Sequence, residues 1–327
     1  MADGDYERGR SREIGAIAAE LKRLAAAREG RNLLRPKGEV RAAARAPVFV
    51  LNGWAASPHA WDLCGFMRPR GSAALPTGTT GVSPVENSVA RPRLFGYVEQ
   101  LDGEPERAIE NVERCILVGW SMGGSSALRL AARWPEKIAG LVLIAATPRM
   151  MEEKESGWKG MSPRRLEALR YGVMMTHGEG FFGVPEGKPN PYLADEPENL
   201  ERGLKYLLET DVRADLERVF LGGGGLEGQR QGQQAGDDEQ QAYDNKKCAC
   251  PPLADNKKCA PAVYIFHSER DGIVRPENAD YLQKVFPQAS VTLVPGTEHA
   301  LSIFIPELID EAVDSCLRLA AAGQDIA

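Results

Sequence analysis

The segment that most constrains this chain runs from Cys115 to Trp134. There a buried apolar stretch, Cys115-Ile-Leu-Val118, passes through Gly119-Trp-Ser-Met-Gly-Gly124 into a helical pattern from Ser125 to Trp134. A strand that turns into a helix through G-x-S-x-G lifts the serine, Ser121, to the top of a tight elbow. Backbone there is crowded, so side chains at 119 and 123 would clash with neighbouring elements. The helix start also aims free N–H groups, and the positive end of its dipole, at the seryl oxygen.

Further strands are expected on either side. Pro47-Val-Phe-Val-Leu51 is apolar throughout and ends in Asn52-Gly53, and Leu141-Val-Leu-Ile144 follows the elbow helix. Continuous apolar runs of this length suit strands buried on both faces of a parallel sheet. Strand, helix, strand implies a right-handed parallel crossover. The sheet resumes at Ala262–Phe266 and Ser290–Val294, and Ile305 to Ala322 reads as a closing helix. Residues 68–93, rich in Pro and Gly, show no sustained period and read as a long loop.

Between the two halves of the sheet the pattern turns helical, from Thr147 to about Phe220. Leu166, Leu169 and Val173 share a face after Ser162-Pro163, an N-cap followed by proline at the first helical position. A second helix is expected over about 196–209, with Leu200, Leu204, Leu207 and Leu208 apolar. Helices inserted in this way form a lid. The resulting division is an N-terminal helical extension at 1–46, a core at 47–146 and 259–327, a helical lid at 147–221 and a low-complexity insertion at 222–258.

The extension carries an amphipathic pattern over 11–28, with Ile14, Ile17, Ala18, Leu21 and Leu24 on one face. It suits docking on its own domain, with a partner or a membrane surface as the alternatives. The insertion begins Gly222-Gly-Gly-Gly225 and nearly repeats Asp244-Asn-Lys-Lys-Cys-Ala249 at 255–260, burying too little to offset its ordering entropy. Cys248, Cys250 and Cys259 lack the four-ligand spacing of a zinc site, and no metal or other cofactor is expected. Six cysteines in 327 residues are too dilute for a disulfide framework, so reduced thiols are expected.

Charge narrows the partners. The net charge of −6 is spread unevenly, +4 over residues 1–46 and −10 over the rest, which argues against a nucleic-acid binder. No run approaches the ~18 apolar residues of a membrane span, and the start of the chain lacks an apolar signal core. A cytoplasmic location without membrane contact is expected.

A serine hydroxyl is a weak nucleophile until a base takes its proton. The histidines are His59, His177, His267 and His299. His299, in Gly296-Thr-Glu-His-Ala300, lies just beyond the last strand, where a loop can reach over the elbow. His267, immediately after the strand 262–266, is its competitor. Asp271, in Ser268-Glu-Arg-Asp-Gly-Ile-Val274, is placed to orient the base, with Glu269 as the alternative. The oxyanion formed on attack needs two N–H donors. Met122, directly after the serine, supplies one, and Trp54, after Asn52-Gly53, is placed to supply the other while its ring walls the acyl pocket.

With strand-Asn52-Gly53-Trp54, Gly119-Trp-Ser-Met-Gly123, Asp271-Gly-Ile-Val274 and Glu298-His-Ala300 in that order, the chain resembles the α/β-hydrolase superfamily over roughly residues 47–320. That resemblance implies an α/β fold, a mostly parallel sheet flanked by helices with a small helical lid. It also implies the chain order Ser…Asp…His, hence Ser121, Asp271 and His299 as the triad. Within the superfamily, the G-W-S-M-G-G elbow, the tryptophan after the first strand and the small lid are similar to pimeloyl-[acyl-carrier protein] methyl ester esterases of biotin synthesis. This implies an acyl-enzyme on Ser121, methanol as the first product and an acyl-[acyl-carrier protein] as substrate. It further implies that Arg164, Arg165 and Arg170 of the lid dock the acidic carrier and that Leu169 and Val173 line the acyl channel.

Two departures stand out. The usual His-Gly is Asn52-Gly53, and the usual D-x-x-G-x-G-x-S segment is replaced by the 68–93 loop, leaving the sheet one strand short or rerouted there. A general carboxylesterase or thioesterase would use the same triad, as would an acyltransferase, and a ligand receptor could reuse the fold.

Overall fold

The computed structural model describes residues 46–68, 91–176, 189–192, 195–222, 261–296 and 298–324. The helix expected over 11–28, the insertion after Gly222, His177 and Cys248, Cys250 and Cys259 lie outside them. The described strands are β1 (Val48–Leu51), β2 (Arg93–Phe95), β3 (Cys115–Trp120), β4 (Ile138–Ile144), β5 (Ala262–Ser268) and β6 (Ser290–Val294). They form one sheet in the order β2-β1-β3-β4-β5-β6, every pair parallel.

Residues of β1, β3 and β4 are all buried, which explains why their sequences are apolar without alternation. Their side chains nevertheless alternate between two cores. Val48, Val50, Ile116, Val118, Val142 and Ile144 face one side, where the helix Pro306–Gln324 contributes Ile309, Val313 and Cys316. Phe49, Leu51, Leu117, Leu141 and Leu143 face the other, against Leu128, Leu130 and Ala131 of the elbow helix and Leu282 and Val285 of helix Glu277–Val285. Hereafter α1 is Tyr97–Leu101, α2 Glu104–Glu110, α3 Met122–Arg133, α4 Pro163–Met175, α5 Pro197–Glu209, α6 Arg213–Phe220, α7 Glu277–Val285 and α8 Pro306–Gln324.

The chain leaves β1 for β2 on one side and returns to β3 on the other. This reversal opens a crevice at the C-terminal ends of β1 and β3, the place where open α/β sheets bind ligands. The sheet is not missing the strand that the 68–93 loop put in doubt. Arg93-Leu-Phe95 fills that place beside β1, a three-residue edge strand with Arg93 exposed and therefore without an apolar signature.

The segment expected to form a helical lid from Thr147 departs from that expectation at its start. Residues 149–161 are not helical but carry isolated bridges, Arg149 to Asp211, Met151 to Met161 and Glu153 to Trp158. Helices begin only at Pro163, where Ser162 occupies the cap position but makes no side-chain capping bond. α4, α5 and the start of α1 then enclose a third apolar cluster that includes Trp54, Met122, Met150, Leu166, Leu169, Val173, Leu200 and Leu204. Cys64, Cys115 and Cys316 are buried and unbridged. Among the described residues no helix is long and apolar enough to cross a membrane, and no His/Cys/Asp/Glu group could hold a metal ion.

Tight packing of α8 on the sheet rests on Gly140 of β4, where a Cβ would lie 2.6 Å from both Cβ and Sγ of Cys316. Gly140→Ala overpacks this contact, and its urea midpoint is expected to fall by the equivalent of about 1–3 kcal/mol. An unchanged midpoint would contradict the packing described.

Candidate active site

β3 continues two residues beyond Val118, and Ser121 turns the chain directly into α3. Its φ of 56° and ψ of −118° lie where a non-glycine residue is strained, at a cost of about 1–3 kcal/mol. Surrounding packing holds it there. A Cβ on Gly119 would collide with the Gly123 carbonyl, one on Gly123 with the Leu51 carbonyl, and one on Gly124 with Ala146. The glycines thus let α3 press against the end of β1 and the start of its own turn. Ser121 N–H donates to the Ile144 carbonyl at 2.9 Å, tying the elbow to β4 as well.

His299 reaches over this elbow as its sequence position predicts. Its Nε2 lies 2.8 Å from Ser121 Oγ and its Nδ1 lies 2.8 Å from Asp271 Oδ2. An ionised carboxylate only accepts hydrogen bonds, so Nδ1 carries the proton and Nε2 is left to accept from the seryl hydroxyl. Asp271 is buried, and its second oxygen accepts the Ile273 and Val274 amides at 2.7 and 3.1 Å. The carboxylate is thereby fixed in position. Trp120 Nε1 donates to the His299 carbonyl at 2.9 Å, and Ser268 Oγ donates to that of Glu298, so the histidine loop is tethered on two sides.

The competing histidine is settled by orientation. His267 lies inside β5, which runs on to Ser268, and is fully buried. Its Nε2 donates to the Val274 carbonyl at 2.9 Å and stands 3.9 Å from Asp271 Oδ2. Burial holds its pKa below the usual histidine value, against the opposing pull of the Asp271 charge, so it remains neutral at pH 7. It braces the turn that carries Asp271 and makes no contact with Ser121. Glu269 follows the end of β5, exposed, its amide bonded to the Val294 carbonyl.

Gly53 places the loop after β1 against Ser121, since a Cβ there would lie 3.4 Å from Ser121 Cβ and 3.2 Å from Trp120 Cε3. Trp54 follows it at the end of β1, and Met122 opens α3. Trp54's ring is buried, its Nε1 donating to the Leu200 carbonyl of α5 at 2.9 Å. Gly203 makes room for it, because a Cβ there would come within 2.5 Å of Trp54 Cδ1.

A cleft of about 370 Å³, counted with its open mouth, descends to Ser121 and His299. Its walls include Trp54, Met150, Leu169, Tyr192, Leu207 and Ile273. Leu169, on α4, is thus one of the residues facing the cleft. Val173, one turn further along α4, is buried in the lid cluster behind the wall and does not line the cleft. Met150, Tyr192, Leu207 and Ile273 were not singled out from the sequence. They come from four separate segments and carry no signal that distinguishes a cleft wall from a core position. The three lid arginines are exposed on α4, but two are engaged. Arg165 donates to the Gly272 carbonyl, and Arg170 pairs with Glu201 at 2.7 Å.

Comparison with known proteins agrees with this geometry. The chain is 24% identical over 220 residues to a pimeloyl-[acyl-carrier protein] methyl ester esterase of Nitrosospira multiformis, covering 62% of this chain and 68% of the relative. To the esterase of that name from Aromatoleum aromaticum it is 28% identical over 198 residues, covering 54% and 75%. With the one from Shewanella woodyi, 28% identity extends over 38% of this chain and 57% of the relative. In structure the chain is similar to an esterase from Exiguobacterium antarcticum (TM-score 0.52, 14% identity, 84% of this chain and 92% of the other). It is also similar to a hydrolase from Oleispira antarctica (TM-score 0.50, 15% identity, the same coverage). At such identities the structural likeness speaks for the fold alone. The model of the alpha/beta hydrolase fold family matches residues 97–306, and with a serine-hydrolase-type site at the elbow of that fold the chain belongs to the family.

Proposed function

We propose that this protein is a cytoplasmic serine carboxylesterase that hydrolyses the methyl ester of pimeloyl-[acyl-carrier protein], a step of biotin biosynthesis. The observation that carries the reading is an apolar cleft leading straight to a hydrogen-bonded Ser121–His299–Asp271 chain. Similarity to the three pimeloyl-[acyl-carrier protein] methyl ester esterases above supports the choice of substrate.

In this scheme Ser121 Oγ attacks the ester carbonyl as its proton passes to His299 Nε2. The amides of Trp54 and Met122 take the oxyanion, and Asp271 stabilises the imidazolium. Collapse expels methoxide, which leaves as methanol with the proton from His299, and the acyl group stays on Ser121. A water molecule, deprotonated by His299, then releases the free carboxyl end of a chain that is still attached to its carrier. Leu169, Leu207, Met150 and Ile273 receive the methylene run, each buried CH₂ contributing about 0.8 kcal/mol. Val173 supports that wall from behind.

Carrier docking falls to the exposed basic face of α4. Arg164 has no role inside the lid that would compete, whereas Arg165 and Arg170 would have to exchange Gly272 and Glu201 for carrier carboxylates. Reversing the charge at Arg164 is expected to raise KM for the carrier-bound ester several-fold and to leave KM for a small ester unchanged. Equal effects on both substrates would remove the docking role.

Further outcomes test the chemistry and the substrate. A fluorophosphonate probe should label the wild-type chain and not Ser121→Ala, and Asp271→Asn should slow turnover by about 10³–10⁴-fold through loss of the correct tautomer. Methanol should appear from pimeloyl-carrier methyl ester, and the gene should restore growth to a biotin-requiring strain that lacks its pimeloyl esterase. Hydrolysis of short p-nitrophenyl esters with neither methanol release nor rescue would instead mark a general carboxylesterase on the same triad.

A further inference from the structure

Asn52 directly follows β1, and its surroundings show what an amide does there. It is fully buried at the end of β1. Its backbone N–H donates to the Phe95 carbonyl at 3.0 Å, and its backbone oxygen accepts Gln100 Nε2 at 2.9 Å, so the residue is clamped to β2 and α1. Its side chain is fully used. Nδ2 donates both hydrogens, to the Ala56 and Ser57 carbonyls at 3.0 Å each, and Oδ1 accepts Trp61 Nε1 at 3.0 Å.

Those bonds close residues 52–57 into a ring whose outer arc is Gly53-Trp54-Ala55. Ala55 sits at a φ of 53°, a left-handed conformation that costs an alanine about 1–2 kcal/mol and persists only where the surroundings enforce it. The far side of the ring is held by Ser57 N–H to the Pro191 carbonyl at 2.8 Å, and Trp54's indole by α5. Two donors on one atom beside one acceptor is a pattern that a primary amide meets. A carboxylate has no donor, and an imidazole has at most one N–H on each nitrogen.

We infer that Asn52 is a positioning residue for the oxyanion hole, its Nδ2 holding the strained 53–55 arc so that the Trp54 amide faces the carbonyl oxygen under attack at Ser121. The inference rests on the hydrolytic reading of Ser121 given above. Asn52 itself does not line the cleft, and the Trp54 indole that does is held separately by the Leu200 carbonyl, so losing the Asn52 donors turns the Trp54 amide while the ring keeps its place in the wall. The effect belongs to the transition state, where the oxyanion exists, and not to the ground state.

The test uses the full chain with p-nitrophenyl butyrate as substrate and phenylboronic acid as a mimic of the tetrahedral adduct. Asn52→Asp keeps the side-chain shape and the acceptor for Trp61 while removing both donors. It should lower kcat by about 10²-fold, on the scale of one lost oxyanion donor, with KM within about threefold of wild type. The boronate inhibition constant should weaken in parallel with kcat/KM, a correlation that a merely structural role would not produce. Should Asn52→Asp fail to fold, Trp61→Phe frees one end of the amide and should show the same split at about tenfold.

Wild-type kcat in a folded Asn52→Asp or Trp61→Phe protein overturns the inference, as does a loss that appears in KM alone or leaves boronate binding unchanged. In each of these cases the wild-type chain still turns over the ester, so the hydrolytic reading survives. A wild-type chain inert toward both the ester and the boronate overturns that reading, and the inference with it.

Discussion

Everything at the active end of this molecule depends on the close approach of α3 to β1 at the elbow. Gly119, Gly123 and Gly124 leave no space for a Cβ, and that contact lets the chain turn at Ser121 with a positive φ. The strain of the turn is offset by two cores, one on each face of an all-parallel sheet. An elbow held by so much buried surface does not relax, and the seryl oxygen stays where an imidazole can reach it.

The other functional groups are each fixed by a local device on that frame. Asp271 is set by two backbone amides and braced from behind by a neutral His267. His299 is set by the carboxylate and by Trp120 through its own carbonyl. The loop after β1 is set by the Asn52 amide on one side and by lid contacts on the other. α4 and α5 are consequently not independent of the elbow, because the indole of Trp54 belongs to both the loop after β1 and the apolar cluster under those two helices.

How much of this was legible in the sequence follows from how each part is buried. β1, β3, β4 and β5 appear as apolar runs because they are covered on both faces, whereas β6, at the end of the sheet, mixes Ser290 and Thr292 with an exposed Leu293. β2 shows no such run, being a three-residue edge with an exposed arginine, and α1 and α2 are too short to build a period. Ser121, Asp271 and His299 were readable because each follows a strand within a short motif. The cleft was not: Met150, Tyr192, Leu207 and Ile273 meet only through tertiary packing, and in the sequence Leu207 is one more leucine of an amphipathic helix. Likewise, Val173 shares the apolar face of α4 with Leu169, and only packing shows that one reaches the cleft while the other lies behind it. His267 could be named as a competitor from its position, but its exclusion required the direction of its ring.

The central claim is that Ser121 is the nucleophile of a hydrolytic cycle. Acid quenching during turnover of a p-nitrophenyl ester, followed by mass spectrometry of the proteolytic peptides, tests it most directly. An acyl mass increment is expected on the peptide that contains Ser121, its abundance matching the burst of p-nitrophenol. Turnover without any adduct on that peptide, or with the adduct on another residue, would contradict it.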